Sequence, residues 1–206
     1  MFRYLFAFLI IFSISACKTV QKMTAYERVL IVSEGKDVPF RVLQVTEPND
    51  ATILRTRCKD IDLVKEKRLL DLLISRLKAT MASESGVGIA APQVGISRNV
   101  FLFMRIDKTD RPIEVAINPR IISHAKETIC FERDGCLSIP DTRGNSIRYP
   151  WVEVSYTNES GQKVIEKLTG FSRTDDFTAI IFQHEFDHLQ GVLFTDKLCE
   201  LKPITD

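Results

Sequence analysis

Two histidines four residues apart, with a glutamate between them, constrain this chain more than any other feature: Gln183-His184-Glu185-Phe186-Asp187-His188, near the C-terminal end. Positions i and i+4 share one face of a helix, so both imidazoles can bind one metal ion while Glu185 leans over the open coordination position. The pattern predicts metal-assisted hydrolysis. Other signals predict the helix independently. Thr174 suits the N-cap, Asp175 and Asp176 place negative charge in the first turn, Phe177, Ile181, His184 and His188 recur on one face, and Gly191 closes it. A buried helix whose histidines only satisfy core hydrogen bonds is the plainer reading for a lone histidine. Of three histidines in the chain, two sit here in metal-ligand spacing.

The bulk of the chain sets the bounds. Its 206 residues suit one ordinary domain, and 45% hydrophobic residues supply a real core. Lys and Arg (28) nearly balance Asp and Glu (27), and no basic run resembles a phosphate-tracking surface, which argues against a nucleic-acid partner. Five cysteines without regular short spacing do not suggest a disulfide framework and leave at least one free thiol. The absence of repeats and low-complexity tracts excludes a solenoid and a disordered scaffold.

Residues 1–17 read as a targeting segment: Arg3, an apolar run from Tyr4 to Ile14, then Ser15 and Ala16 before Cys17. The run is short for a transmembrane helix. Ile14-Ser15-Ala16-Cys17 resembles the bacterial lipoprotein signal, which implies lipidation of Cys17 and attachment to a membrane. An uncleaved anchor, or a start codon placed too far upstream, is the alternative. Residues 18–37 read as a polar tether, leaving 38–206 as the catalytic domain. A strand is expected over 40–45 and a turn at Pro48-Asn49-Asp50. Residues 63–81 have helical periodicity, with Leu69, Leu70, Leu72, Leu73, Ile74 and Leu77 forming a broad buried stripe that ends at Ser83-Glu84-Ser85-Gly86.

The loop Gly86-Val87-Gly88-Ile89-Ala90-Ala91-Pro92-Gln93 leaves its backbone uncovered, open to an extended ligand, and the Gln93 amide can donate to a developing oxyanion. Strands are expected over 98–106 and 113–117, the latter ended by Asn118-Pro119, and then over 121–131, 147–157 and 163–168. Asn158-Glu159-Ser160-Gly161 reads as the hairpin joining the last two. The central region is thus antiparallel β. Within it lies Asp134-Gly135-Cys136-Leu137-Ser138-Ile139-Pro140. Two helical histidines leave a metal short of a third ligand, and the Cys136 thiolate is a good one.

Three stretches now stand in order: Gly-x-Gly-x-Ala-Ala-Pro-Gln, Gly-Cys-Leu-Ser and Gln-His-Glu-x-Asp-His-Leu. The set resembles the signature motifs of the peptide deformylases, over residues 40–198. The resemblance implies an α+β fold, with antiparallel β-sheets around a central metal-binding helix. It also implies hydrolytic removal of the formyl group from N-formylmethionyl peptides. Cys136, His184 and His188 are then the metal ligands and Glu185 the general base. Gln93 and the Leu137 backbone N–H hold the oxyanion. The peptide lies along Val87, Gly88 and Gly135, and Phe177, Ile180 and Ile181 line the methionine pocket. The implied metal is Fe(II), with Zn(II) or Ni(II) as alternatives.

Two departures from the family pattern stand out. Asp134 replaces the usual glutamate before Gly-Cys-Leu-Ser, and its expected partner is Arg148; the shorter acid is expected to loosen that contact. The leader, in turn, implies a lipid-anchored protein of the bacterial cell envelope, with a cytoplasmic one as the alternative if the leader is not functional; export would expose Cys136 to oxidants, with Cys130 as a disulfide partner close in sequence. A monomer is expected. The rival readings are a zinc peptidase, with Glu200 as third ligand, and a catalytically weak, membrane-anchored protein that binds formyl peptides.

Overall fold

The computed structural model describes residues 21–200. The leader over 1–17, with Cys17, lies outside the described residues. In chain order come helices α1 (Ala25–Val32), α2 (Pro48–Leu54) and α3 (Lys67–Ser83), then strands β1 (Gly88–Ala90), β2 (Val100–Met104), β3 (Ile113–His124), β4 (Ile129–Cys136), β5 (Ile139–Arg148), β6 (Trp151–Thr157) and β7 (Lys163–Thr169), and helix α4 (Thr178–Leu189). This is the expected α+β arrangement. Five strands form an antiparallel sheet in the order β1-β2-β3-β6-β7, and β4 pairs with β5 alone. Among the described residues no helix is long and apolar enough to cross a membrane.

Strand β2 explains how the layers hold together. Its alternate side chains enter two cores: Val100 and Leu102 meet the α3 stripe of Leu70, Leu73, Ile74 and Leu77, while Phe101 and Phe103 meet α4. A strand covered on both faces loses its alternation of polar and apolar residues, which is why this one reads as a continuous apolar run. Phe182 fixes α4 on the sheet, its ring 4.9 Å from Phe101 and 5.3 Å from Phe103, both edge to face. Nearly every residue of α4 is buried, its histidines and Glu185 included.

Several boundaries differ from the sequence reading. The tether assigned to 18–37 contains α1, opened by a capping box between Thr24 and Glu27 and docked through Ile31. Glu27 pairs with buried Arg98, which also donates to the carbonyls of Gln21 and Lys22. Residues 40–45 join no ladder; Leu43 N–H donates to Gln93 and Val45 N–H to Ser138, so the segment runs extended between two loops. Pro48-Asn49-Asp50 opens α2 rather than a turn, since proline suits the first helical position. Helix α3 starts at Lys67, four residues past the expected 63. Asn118 and Pro119 do not end β3. Asn118 takes a positive φ of 51° at a register shift, its amide clasping Ile61, and the strand continues to His124.

Helix α4 begins at Thr178, not after Thr174. The Asp176 carboxylate accepts from Thr178 N–H (2.8 Å) and the Thr169 hydroxyl (2.7 Å), which folds 170–176 into a turn ahead of the helix. Gly191, at φ 73°, follows its end as expected. The cysteines also depart from the reading. Cys130 is bonded to Cys199, 69 residues on, rather than paired with Cys136, which is a free thiol. The segment carrying Cys199 is strapped across the β5 side by a bridge between Ser146 and Leu198 and a bond from Cys199 N–H to Asn145.

Candidate metal centre

Helix α4 and the end of β4 converge on one point. The i, i+4 spacing brings His184 and His188 side by side, their ring centroids 5.0 Å apart, and Cys136 closes the group with Sγ 3.2 Å from His188 Nε2. One donor atom from each of the three lies within 4.8 Å of the other two. The donor chemistry fits a divalent transition metal: a thiolate and two imidazole nitrogens, with the Nδ1 side of His184 turned to a carboxylate. Glu200, the ligand expected of a zinc peptidase, is not part of this cluster.

That carboxylate is Asp134, whose Oδ1 lies 3.1 Å from His184 Nδ1. Its Oδ2 accepts from Arg148 (2.8 Å) and the Ser146 hydroxyl (2.6 Å). Arg148 reaches on to Asp187 (2.6 Å), which also takes Lys197. The expectation that a shorter acid loosens the Arg148 contact is therefore corrected: the pair forms, and Ser146 adds a donor to the same oxygen. Burial works against the Asp134 charge, but His184 and then Arg148 outweigh it and hold its pKa well below the usual carboxylate range. Burial likewise opposes a proton on His184, yet Asp134 raises that ring's pKa well above the ordinary value, the sign of a strongly basic ligand. His188 goes the other way. Burial, then His184 and Arg148, push its pKa well down, which keeps its imidazole neutral.

Glu185 is 4% exposed, and burial pushes its carboxyl up to about 7. Its Oε2 is buried with no hydrogen-bond partner among the described residues. The carboxyl lies against the Cα of Gly88, where any Cβ would overlap it. Gln93 is held from the other side: its Oε1 accepts from Ala90 N–H (2.8 Å), which turns Nε2 toward Cys136 Sγ (3.5 Å) and Ser138 Oγ (3.3 Å). Gln44 holds the Leu137 carbonyl at 3.1 Å and so fixes the peptide after Cys136.

A cavity of about 250 Å³ opens above these groups. Val87, Gly88, Gly135, Phe177, Ile180 and Ile181 all line it, with Gln93, Cys136, Leu137, His184 and Glu185. His188 lies behind the wall. Strand β1 is the edge of its sheet and β4 belongs to a pair, so two strand edges flank the cavity, as backbone pairing with an extended peptide requires. The sequence reading missed Phe131, Arg143 and Arg173 on the lining, and Ser146 and Asp187 behind the ligands. Asp187 alone had a local signal, one helical turn after His184. The others come from β4, β5 and the loop before α4, where strand pairing and the fold of that loop bring them to the site.

A family model described as polypeptide deformylase matches residues 40–203. A peptide deformylase of Christiangramia forsetii is 36% identical over 163 residues, 73% of this chain and 79% of that protein. One of Thermotoga maritima is 40% identical over 150 residues, covering 73% and 84%. The solved class I type b peptide deformylase of Acinetobacter baumannii, with Met-Ala-Ser bound, superposes with a TM-score of 0.67 at 32% identity over 79% of this chain and 99% of that one.

Proposed function

This chain belongs to the peptide deformylase family, and we propose the role of each residue in its site. The enzyme is a metal-dependent hydrolase that removes the formyl group from N-formylmethionyl peptides. The observation that carries the assignment of roles is the convergence of Cys136, His184 and His188 beneath a cavity that also holds Glu185 and Gln93.

Cys136 Sγ and one nitrogen of each histidine would hold the metal, which would supply Lewis-acid chemistry beside the substrate water. Glu185 takes a proton from the attacking water, whose oxygen bonds to the formyl carbon, and delivers that proton to the amine nitrogen as the C–N bond breaks, giving formate and a free N-terminus. Gln93 Nε2 and the Leu137 N–H donate to the carbonyl oxygen as it gains charge. Asp134, fixed by Arg148 and Ser146, orients His184. Val87, Gly88 and Gly135 pair with the peptide backbone, and Phe177, Ile180 and Ile181 receive the methionine side chain. The Asp134 contacts remove the ground for a weak binding protein, because the support of the ligand set is complete.

The metal we assign is Fe(II), on the family resemblance, with Zn(II) and Ni(II) as the alternatives that a Cys-His-His set also accepts. Metal analysis of protein purified without oxygen, read beside its specific activity, tests this. Zinc at full occupancy in the active fraction would overturn it.

We also place the protein in the cell envelope, attached through a lipid on Cys17 and working as a monomer. The Ile14-Ser15-Ala16-Cys17 signal supports this, and so does the Cys130–Cys199 disulfide, a bond that persists in oxidising compartments. Incorporation of a labelled fatty acid that Cys17→Ser abolishes is the expected result. A soluble cytoplasmic protein that retains residues 1–17 contradicts it.

A further inference from the structure

The wall of the cleft carries positive charge that formyl removal does not use. Arg143 and Arg173 both line the cavity. Arg173 is exposed but anchored: its Nε donates to the carbonyls of Glu132 (3.3 Å) and Arg133 (3.1 Å), and its guanidinium stands 5.4 Å from the Phe131 ring centroid and 5.8 Å from that of Phe177. Its two Nη groups have no acceptor among the described residues. Arg143 lies flat on Gly135, filling the space a Cβ there would take.

The carboxylates nearby are already engaged. Asp134 serves Arg148, Ser146 and His184, and Glu132 takes the Arg173 backbone N–H rather than its guanidinium. Burial lowers the Arg173 pKa, Asp134 and Glu132 act against that, and Arg143 and Arg133 push it down. Glu84 also lines the cavity, beside Gly86 in the loop that leads into β1. Arg143 and the Nη groups of Arg173 thus face the cavity without a carboxylate partner among the described residues.

Resting on the deformylase reading, we propose that Arg173, aided by Arg143, forms a carboxylate subsite that selects formyl peptides bearing an acidic group at the third residue. In an extended peptide the first and third side chains share a face, ~7 Å apart. A methionine received by Phe177 and Ile180 thus carries the third residue along the wall that bears Arg173. The carboxylate can come from a glutamate or aspartate side chain or from the free C-terminus of a tripeptide. The second source describes short released formyl peptides, the substrates open to an enzyme outside the cytoplasm.

Calorimetry on the metal-loaded full-length protein separates the sources, using the unformylated peptides Met-Ala-Glu-amide, Met-Ala-Gln-amide and Met-Ala-Gln with a free C-terminus. At low salt each carboxylate peptide is expected to bind roughly fivefold more tightly than the neutral amide, with the gap narrowing at about 0.3 M salt. Arg173→Gln should bring the ratio below about twofold and Arg173→Lys should keep part of it. Equal affinity for the three peptides, binding of none, or an unchanged ratio in the Arg143→Gln/Arg173→Gln double variant overturns the proposal. An advantage for one carboxylate source alone supports the subsite and names its ligand. Formate release from formyl-Met-Ala-Gln-amide, measured on the same preparation, reports the deformylase reading separately.

Discussion

Gly88 and Glu185 touch across the cleft, and that contact sets what each residue can be. A methyl group at position 88 meets the Glu185 carboxyl with no space between them. Gly88→Ala is therefore expected to displace the general base and lower kcat/KM by about 100-fold with metal content unchanged, as small misplacements of reacting groups do. Steady-state kinetics beside metal analysis checks it; wild-type kcat/KM would contradict the contact. The pH profile tests the same carboxyl. Glu185 acts as a base only when deprotonated, and burial raises its pKa to about 7. Activity should thus rise with pH along a single limb, and a divalent cation beside the carboxyl moves the midpoint below that value. A profile that falls from pH 5 to 7 contradicts this assignment. At this scale the sequence was informative where chemistry and spacing coincide, as for His184, Glu185 and His188. Ser146, Arg143 and Arg173 had no such signal, because each becomes part of the site only through strand pairing or the course of the loop before α4.

Elements were legible in proportion to how locally they are determined. The apolar stripe of α3 and the turn between β6 and β7 are written in consecutive residues. Strand β5 was missed because its Pro140-to-Ser146 stretch is polar and turn-like, and only its pairing with β4 makes it a strand. Helix α1 was missed for another reason: Thr24 and Glu27 do spell a capping box, but the polar composition around them reads as linker. The sequence named Cys130 but not its partner, since Cys130 and Cys199 meet only once the C-terminal segment crosses β5. It closes a loop of about 70 residues, which in the chain-entropy account contributes about 4 kcal/mol by restricting the unfolded chain. Cys199→Ser is expected to lower unfolding free energy by that order in denaturant melts, and reductant should reproduce the loss in the wild type. Equal melts with and without reductant would contradict it.

At the scale of the whole molecule, the fold presents one catalytic cleft between two strand edges, with a buried helix as its floor and a charged wall to one side. The three signature stretches come from β1 and the single 3-10 turn Ala91–Val94 that follows it, from the end of β4, and from α4, elements far apart in the chain that only the complete α+β fold assembles. Their order in the sequence sufficed to place the family. The most direct test of the account is formate release from formyl-Met-Ala-Ser by residues 18–206, prepared without oxygen and loaded with Fe(II), beside a Glu185→Ala control. The account predicts formate from the native protein and a loss of at least about 100-fold in the control, with the metal retained in both. Metal-loaded native protein that releases no formate, or a control as active as the native enzyme, would contradict it.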